Sequence, residues 1–269
     1  MQSTMSDDLE KQMTSSNEHL EHGVDRLDHP VGKILTSDDG AYVWLGNQKF
    51  LKHELLSAFG GTLNPGLSAP SVHKFANPAP LGLSAFALTT FVLSLINAQA
   101  MGVKHDNIVV GLAFFYGGLV QLLAGMWEMA VENTFGALAL SSYGAFWMSF
   151  GAIFTPWFNI LTSYTDETEL ENALGFYLLG WTLFTFMLCL VTSKSTYAFF
   201  ALFVFLFVTF LLLSLGKLAK STGCTRAGGV LGVITAFIAW YNAYAGVANP
   251  QNAYLTVKGF DLPKFGKQY

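Results

Sequence analysis

The stretch FANPAPLGLSAFALTTFVLSLINAQAMGV, residues 75–103, contains no charged side chain. A helix needs about 20 apolar residues to cross a hydrocarbon layer, and this stretch is long enough. Five more charge-free windows follow, at 107–127, 133–165, 172–193, 195–216 and 227–257. In lipid each backbone N–H and C=O must be satisfied within its own segment, so runs of this length fold as helices. A closed barrel would show shorter alternating segments, and these runs do not alternate. The expected helices lie near 80–102, 107–127, 134–157, 173–192, 195–215 and 227–247. The reading is an all-α integral membrane protein with six transmembrane helices.

Composition agrees. The chain of 269 residues is 52% hydrophobic and 12% charged, against roughly 25% charged for a soluble domain. Of 32 charged residues, 16 lie in 1–74 and 4 in 258–269, leaving 12 for the 183 residues between. Twelve charges cannot build a water-facing surface of that size. The net charge of −4 and the lack of a basic stripe exclude a nucleic-acid partner. Residues 1–74 read as a cytosolic N-terminal tail, with the Ser-, Thr- and acid-rich 1–39 expected to be disordered. Residues 75–248 read as the transmembrane domain and 249–269 as a cytosolic C-terminal tail. The N-terminus lacks the basic and apolar regions of a cleaved signal. Cys189 and Cys224 give no disulfide framework and no CxxC motif. His19 and His22 have metal-like spacing but sit in the polar tail, and no metal or cofactor is expected.

Six crossings put both termini on one side. Lys74, Lys194, Lys258, Lys264 and Lys267 flank the helices there, against Lys104, Lys217, Lys220 and Arg226 opposite, so the basic-residue rule does not decide orientation. The acidic loop 166–171 has no basic residue, which favours the outside and puts both termini in the cytosol. The fifth helix is almost pure Phe and Leu, which suggests a face toward lipid or a neighbouring subunit. Leu81-Gly82 and Leu174-Gly175 form a loose echo between halves, as inverted repeats would.

Polar groups at membrane depth usually face a bundle interior or an aqueous path. Phe86, Thr90, Leu93 and Asn97 recur at helical spacing and share a face. Gln121, Gly125 and Glu128 do the same on the second helix. Ser141, Ser142 and Tyr143 sit on the third, and Tyr241 and Asn242 near the end of the sixth. Hydroxyls and amides in these places can replace part of a small solute's water shell. Each also has a plainer reading. Gln121 can bond a neighbouring helix, Glu128 can anchor at the interface, Thr90 can bond its own preceding turn, and Tyr241 can belong to an aromatic belt. Gly228-x-x-x-Gly232 is a close-packing signature. Pro78 and Pro80 make a rigid helix entry with Pro80 placed to start it, or they hold the backbone out of helical form while Asn77 projects its amide at a pore mouth. No nucleotide loop, GxSxG or HExxH is present, so no enzymatic activity is expected.

The string Asn77-Pro-Ala-Pro-Leu-Gly-Leu83 at the head of six spans resembles the acetate uptake transporter family, which includes fungal ammonia/acetate membrane proteins and bacterial succinate–acetate permeases. Phe115-Tyr-Gly-Gly118, Ser141-Ser-Tyr-Gly-Ala-Phe-Trp147, Gly175-Phe-Tyr-Leu-Leu-Gly-Trp181 and Trp240-Tyr-Asn-Ala-Tyr-Ala-Gly246 fit as well, as does Gly60-Gly-Thr-Leu-Asn-Pro-Gly-Leu67 for its fungal branch. The resemblance implies one pore per protomer, a fold like the urea and amide channels, and a homohexamer in the plasma membrane. It implies acetate and other short monocarboxylates as substrates. It also implies an apolar constriction at Phe86, Tyr143 and Leu206. A narrow apolar ring strips water from its cargo, which is costly for a carboxylate unless its charge is removed. Since no Lys or Arg lies in a helix core, passage with a proton is expected. An ammonium exporter and a membrane sensor of acetic acid are the alternatives.

Overall fold

The computed structural model describes residues 34–37, 39–45, 48–58, 75–257 and 259–263. The chain divides into two units, 1–74 and 75–269. In the first, β1 (Ile34–Thr36), β2 (Tyr42–Leu45) and β3 (Gln48–Leu51) form an antiparallel meander, followed by a short helix at Lys52–Ala58. Thr36 pairs with Val43, and Trp44 with Lys49. Gly40 supplies a positive φ of 69° in the first reversal. The Ser37 hydroxyl and the Ala41 N–H both donate to Asp39, which holds its carboxyl below the usual carboxylate range. The expected disorder through residue 39 gives way at Ile34–Thr36, which form β1, and the tail adds these three short strands to the all-α membrane fold. Asp39-Gly40 is a turn signal and Tyr42-Val43-Trp44 are strand formers, but acidic composition masked both. The expected disorder of 1–33, and His19 and His22 with it, lies outside the described residues.

The second unit holds six helices long and apolar enough to cross a membrane. They are α1 (Ala79–Asn97), α2 (Ile108–Ala130), α3 (Thr134–Phe154), α4 (Glu167–Val191), α5 (Tyr197–Leu218) and α6 (Thr222–Val247). Their ends differ from the apolar windows for local reasons. α1 stops at Asn97 because Gln99 and Met101 adopt left-handed backbone, with φ of 58° and 53°. α4 begins at Glu167, earlier than the charge-free run, because the Asp166 side chain accepts the Thr168 N–H at 2.9 Å. Glu167 and Glu169 in its first turn also suit the positive helix end. Ser221 caps α6 in the same way, accepting the Cys224 N–H at 3.3 Å. Within α2 the turn Phe115–Val120 widens to π geometry, a local distortion common at functional sites.

Two seams of unlike kind close the bundle. α6 lies directly on α1: a Cβ at Gly229 would sit 2.7 Å from the Ser94 carbonyl oxygen, and one at Gly232 would sit 2.9 Å from the Ser94 Cβ. That is the small-residue packing expected of the glycine signature, although Gly229 rather than Gly228 meets α1. α3 and α4 are instead spaced by rings. Phe146 stacks on Tyr177 at 5.9 Å and meets Trp181 edge-on at 5.2 Å, and the Ser149 and Tyr177 hydroxyls bond at 2.7 Å. The echoed glycines have unlike neighbours, since Gly82 abuts Leu140 of α3 and Gly175 abuts Leu218 of α5. An inverted repeat would have put Gly175 against α6.

The outward reading of the Phe- and Leu-rich helix is corrected. α5 packs between α4 and α6 and buries Leu202, Phe203, Leu206 and Phe210. Uniform hydrophobicity hides which face turns inward. Its head is also tied down from a distance. The Tyr197 N–H donates to the Phe260 carbonyl at 2.8 Å and the Leu262 N–H to the Ser195 carbonyl at 2.9 Å, forming a bridge between Thr196 and Asp261.

Gly229→Ala should lower the stability of the detergent-solubilised protein by about 1–3 kcal/mol, as overpacking of a close seam does. Tryptophan-fluorescence melting checks this. A melting curve superimposable on the wild type would show that α1 and α6 part without cost.

Candidate functional site

Call the end of the bundle where α1 begins the near end. A cavity of about 70 Å³ lies toward it, reached from Ala79 and Asn133 at the starts of α1 and α3. A larger cavity of about 530 Å³ lies toward the far end, where Lys104 and Asp106 of the α1–α2 connection and Lys217 of α5 border it. Phe86 and Leu206 line both cavities, and Tyr143 lines the smaller one. All three are buried, and the Phe86 and Tyr143 ring centres are 5.8 Å apart. The three residues come from α1, α3 and α5, and the wall dividing the two cavities includes Phe86 and Leu206.

The face read on α1 is the cavity face: Phe86, Thr90, Leu93 and Asn97 all line the larger cavity. The Thr90 hydroxyl is buried and has no hydrogen-bond partner among the described residues, so it does not back-bond to its own turn as Thr89 does to the Ala85 carbonyl at 2.9 Å. Gln121, fully buried, lines the smaller cavity, and neither atom of its amide has a partner among the described residues. Buried amides and hydroxyls without partners are costly and stand ready for a polar solute.

The other candidates border neither cavity. Asn77 caps the start of α1, its Oδ1 accepting the Ala79 N–H at 3.1 Å. Glu128 is 1% exposed, so it is not an interfacial anchor. It is packed against α3, where Asn133 Nδ2 donates to its Oε2 at 2.6 Å. Ser142 is half-buried on α3. Tyr241 is exposed on the outer side of α6, beside Ala198 and Phe237. Asn242 clips α6 to α5, its Nδ2 donating to the Ala198 carbonyl at 3.3 Å and to Ile238 within its own helix at 2.8 Å. On α2 the polar face mostly serves packing, with Gly125 against Ser141 and only Gln121 at a cavity.

Sequence reading missed the rings around Tyr143. Phe210 stacks parallel to it at 6.4 Å, Phe184 meets its edge at 5.7 Å, and Trp181 lies at 6.2 Å. Its hydroxyl turns away to Thr185 of α4, with 2.9 Å between the oxygens. The repeated Phe, Tyr and Trp of the Gly175–Trp181 motif were the signal; their spacing alone does not say which helix they meet. The site is therefore an apolar waist between two cavities, with the unpartnered Gln121 amide on the smaller one and the unpartnered Thr90 hydroxyl and Trp147 indole N–H on the larger one. No group of three or more metal-ligating side chains is formed among the described residues.

The chain is similar to known proteins in fold and in sequence. The bacterial acetate channel SatP, as a solved structure, matches with a TM-score of 0.61 at 36% identity, over 66% of this chain and 96% of its own. Ammonia transport outward protein 2 of Saccharomyces cerevisiae is 60% identical over 95% of this chain and 93% of its own length. Acetate permease A of Emericella nidulans is 53% identical over 79% and 75%. The succinate-acetate/proton symporter SatP of Escherichia coli is 37% identical over 66% and 92%. Residues 59–264, which include all six helices and both cavities, match the family profile as a whole, and the chain belongs to the GPR1/FUN34/yaaH family.

Proposed function

We propose that this protein moves acetate and other short monocarboxylates across the plasma membrane together with a proton, and that Phe86, Tyr143 and Leu206 form the constriction of its path. The observation that carries the reading is that two cavities reaching toward opposite ends of the bundle share Phe86 and Leu206 as walls. A solute crossing the bundle between them must pass this waist. The waist offers no fixed cation, because the basic residues bordering the larger cavity, Lys104 and Lys217, are at its far end and Lys217 is paired with Glu171 at 3.3 Å. Stripping water from an unpaired carboxylate there costs several kcal/mol, about the penalty for burying a charge without a partner. The neutral acid avoids that cost.

The names acetate permease, acetate channel and succinate-acetate/proton symporter fit this substrate class. The name ammonia transport outward fits a second cargo, but ammonia has no recognisable cage at the waist: no histidine lies in any of the six helices. Both termini are read as cytosolic, from the acidic loop between α3 and α4. The exposed apolar faces of α4 and α6 give lipid or neighbouring copies of a homohexamer a surface to cover.

The test is uptake of labelled acetate by proteoliposomes under an inward acid gradient, with empty vesicles subtracted. Uptake that rises with the gradient is expected. Uptake indifferent to it would leave a passive anion channel, and none above empty vesicles would end the reading.

A further inference from the structure

We infer that Thr185, which borders neither cavity, is the positioning residue that keeps the waist dry by holding the Tyr143 hydroxyl out of the path. This rests on the waist being the constriction. Tyr143 is the only member of the trio with a polar atom, and that atom bonds Thr185 Oγ1 at 2.9 Å across the α3–α4 seam. Thr185 is fully buried and Tyr143 is 3% exposed, so no water competes for the pair. Phe184, Phe210 and Trp181 flank the same ring. They hold the ring in place, but none offers the hydroxyl a bond. With the bond made, the Phe86 ring, the Leu206 side chain and the Tyr143 ring offer the waist no free polar atom.

Thr185→Val keeps the volume and removes the oxygen. A buried phenol without a partner then gains by turning toward the polar groups it can reach, and the nearest open space is the smaller cavity it lines. The same cavity is lined by Gln121, whose amide has no partner among the described residues. A phenol in the waist is a polar stepping stone on which water can join the two cavities. An ordinary hydrogen bond corresponds to about a tenfold change in the population of such a rotamer.

The experiment uses full-length protein in vesicles loaded with a pH-sensitive dye, first showing wild-type acetate uptake, then measuring proton leak with no acetate present. Thr185→Val is expected to leak protons about tenfold faster than wild type, in line with that shift in population. Thr185→Ser, which keeps the oxygen, is expected to stay tight. The double variant Thr185→Val with Tyr143→Phe, which removes both oxygens, is expected to bring the leak back down. A structural defect would not be mended by a second core substitution. A tight Thr185→Val overturns the inference, as does a double variant that leaks like the single one. If Thr185→Val does not assemble, Thr185→Ala carries the same comparison. Absence of acetate uptake in wild-type vesicles would instead strike at the functional reading itself.

Discussion

Phe86→Ala should admit lactate. The wild-type waist is bounded by the Phe86 ring, the Tyr143 ring 5.8 Å from it and the Leu206 side chain. Size rejection by an apolar pocket is worth about 1–3 kcal/mol per methylene-sized group, or roughly 10- to 200-fold in rate. Removing a whole phenyl ring from the one residue that faces both cavities beside Leu206 should recover most of that factor. Lactate uptake relative to acetate is therefore expected to rise at least about tenfold on the same scale. Leu206→Ala should act in the same direction, with a smaller gain for the smaller side chain. Competition between labelled acetate and unlabelled lactate in proteoliposomes reads the ratio directly. Two variants with the wild-type ratio would mean that the narrowest point lies elsewhere. Both substitutions also leave cavities among buried neighbours, so each must first be shown to be assembled at wild-type abundance.

The second large effect is on pH. If the neutral acid is what crosses, flux at fixed total acetate follows the protonated fraction. A carboxylic acid titrates at about pH 4, and above that point its neutral fraction falls tenfold per unit. Protein-dependent flux is expected to fall about 100-fold between pH 6 and pH 8, after subtraction of empty vesicles, which acetic acid itself crosses. Trifluoroacetate, which stays ionised throughout, should be excluded at both pH values. Flux that stays level across this range, or ready passage of trifluoroacetate, would show that the anion itself passes the waist.

The membrane architecture was legible because charge is so scarce between 75 and 257 that the helices had no other place to go. Helix ends were less legible, since charge-free windows cannot see that Asp166 and Ser221 cap helices that begin at or ahead of charged residues, Glu167 to Glu171 in α4 and Arg226 in α6. The α1 face at 86, 90, 93 and 97 followed from spacing, because one helix with one polar stripe has one way to face a cavity. α2 defeated the same reasoning. Its stripe at Gln121, Gly125 and Glu128 looks equivalent, yet two of the three are taken up by packing against α3. α5 gave no stripe at all, so the direction of its buried face had to come from its neighbours. Pairings such as Tyr143 with Thr185, 42 positions apart, depend on how α3 and α4 are rotated, which no local pattern encodes. The strands β1 to β3 were overlooked because composition was averaged over a window that one short reversal does not dominate.

The stitch from Phe260 and Leu262 to the head of α5 has a practical consequence for handling the protein. α5 contributes Phe199, Leu202, Phe203 and Leu206 to the smaller cavity, so shortening the chain before residue 259 unfastens a cavity-lining rod at its anchored tip. Reporter fusions, affinity handles and trimmed crystallisation variants at that extremity should be compared with an untagged control before any rate is attributed to the residues of the passage.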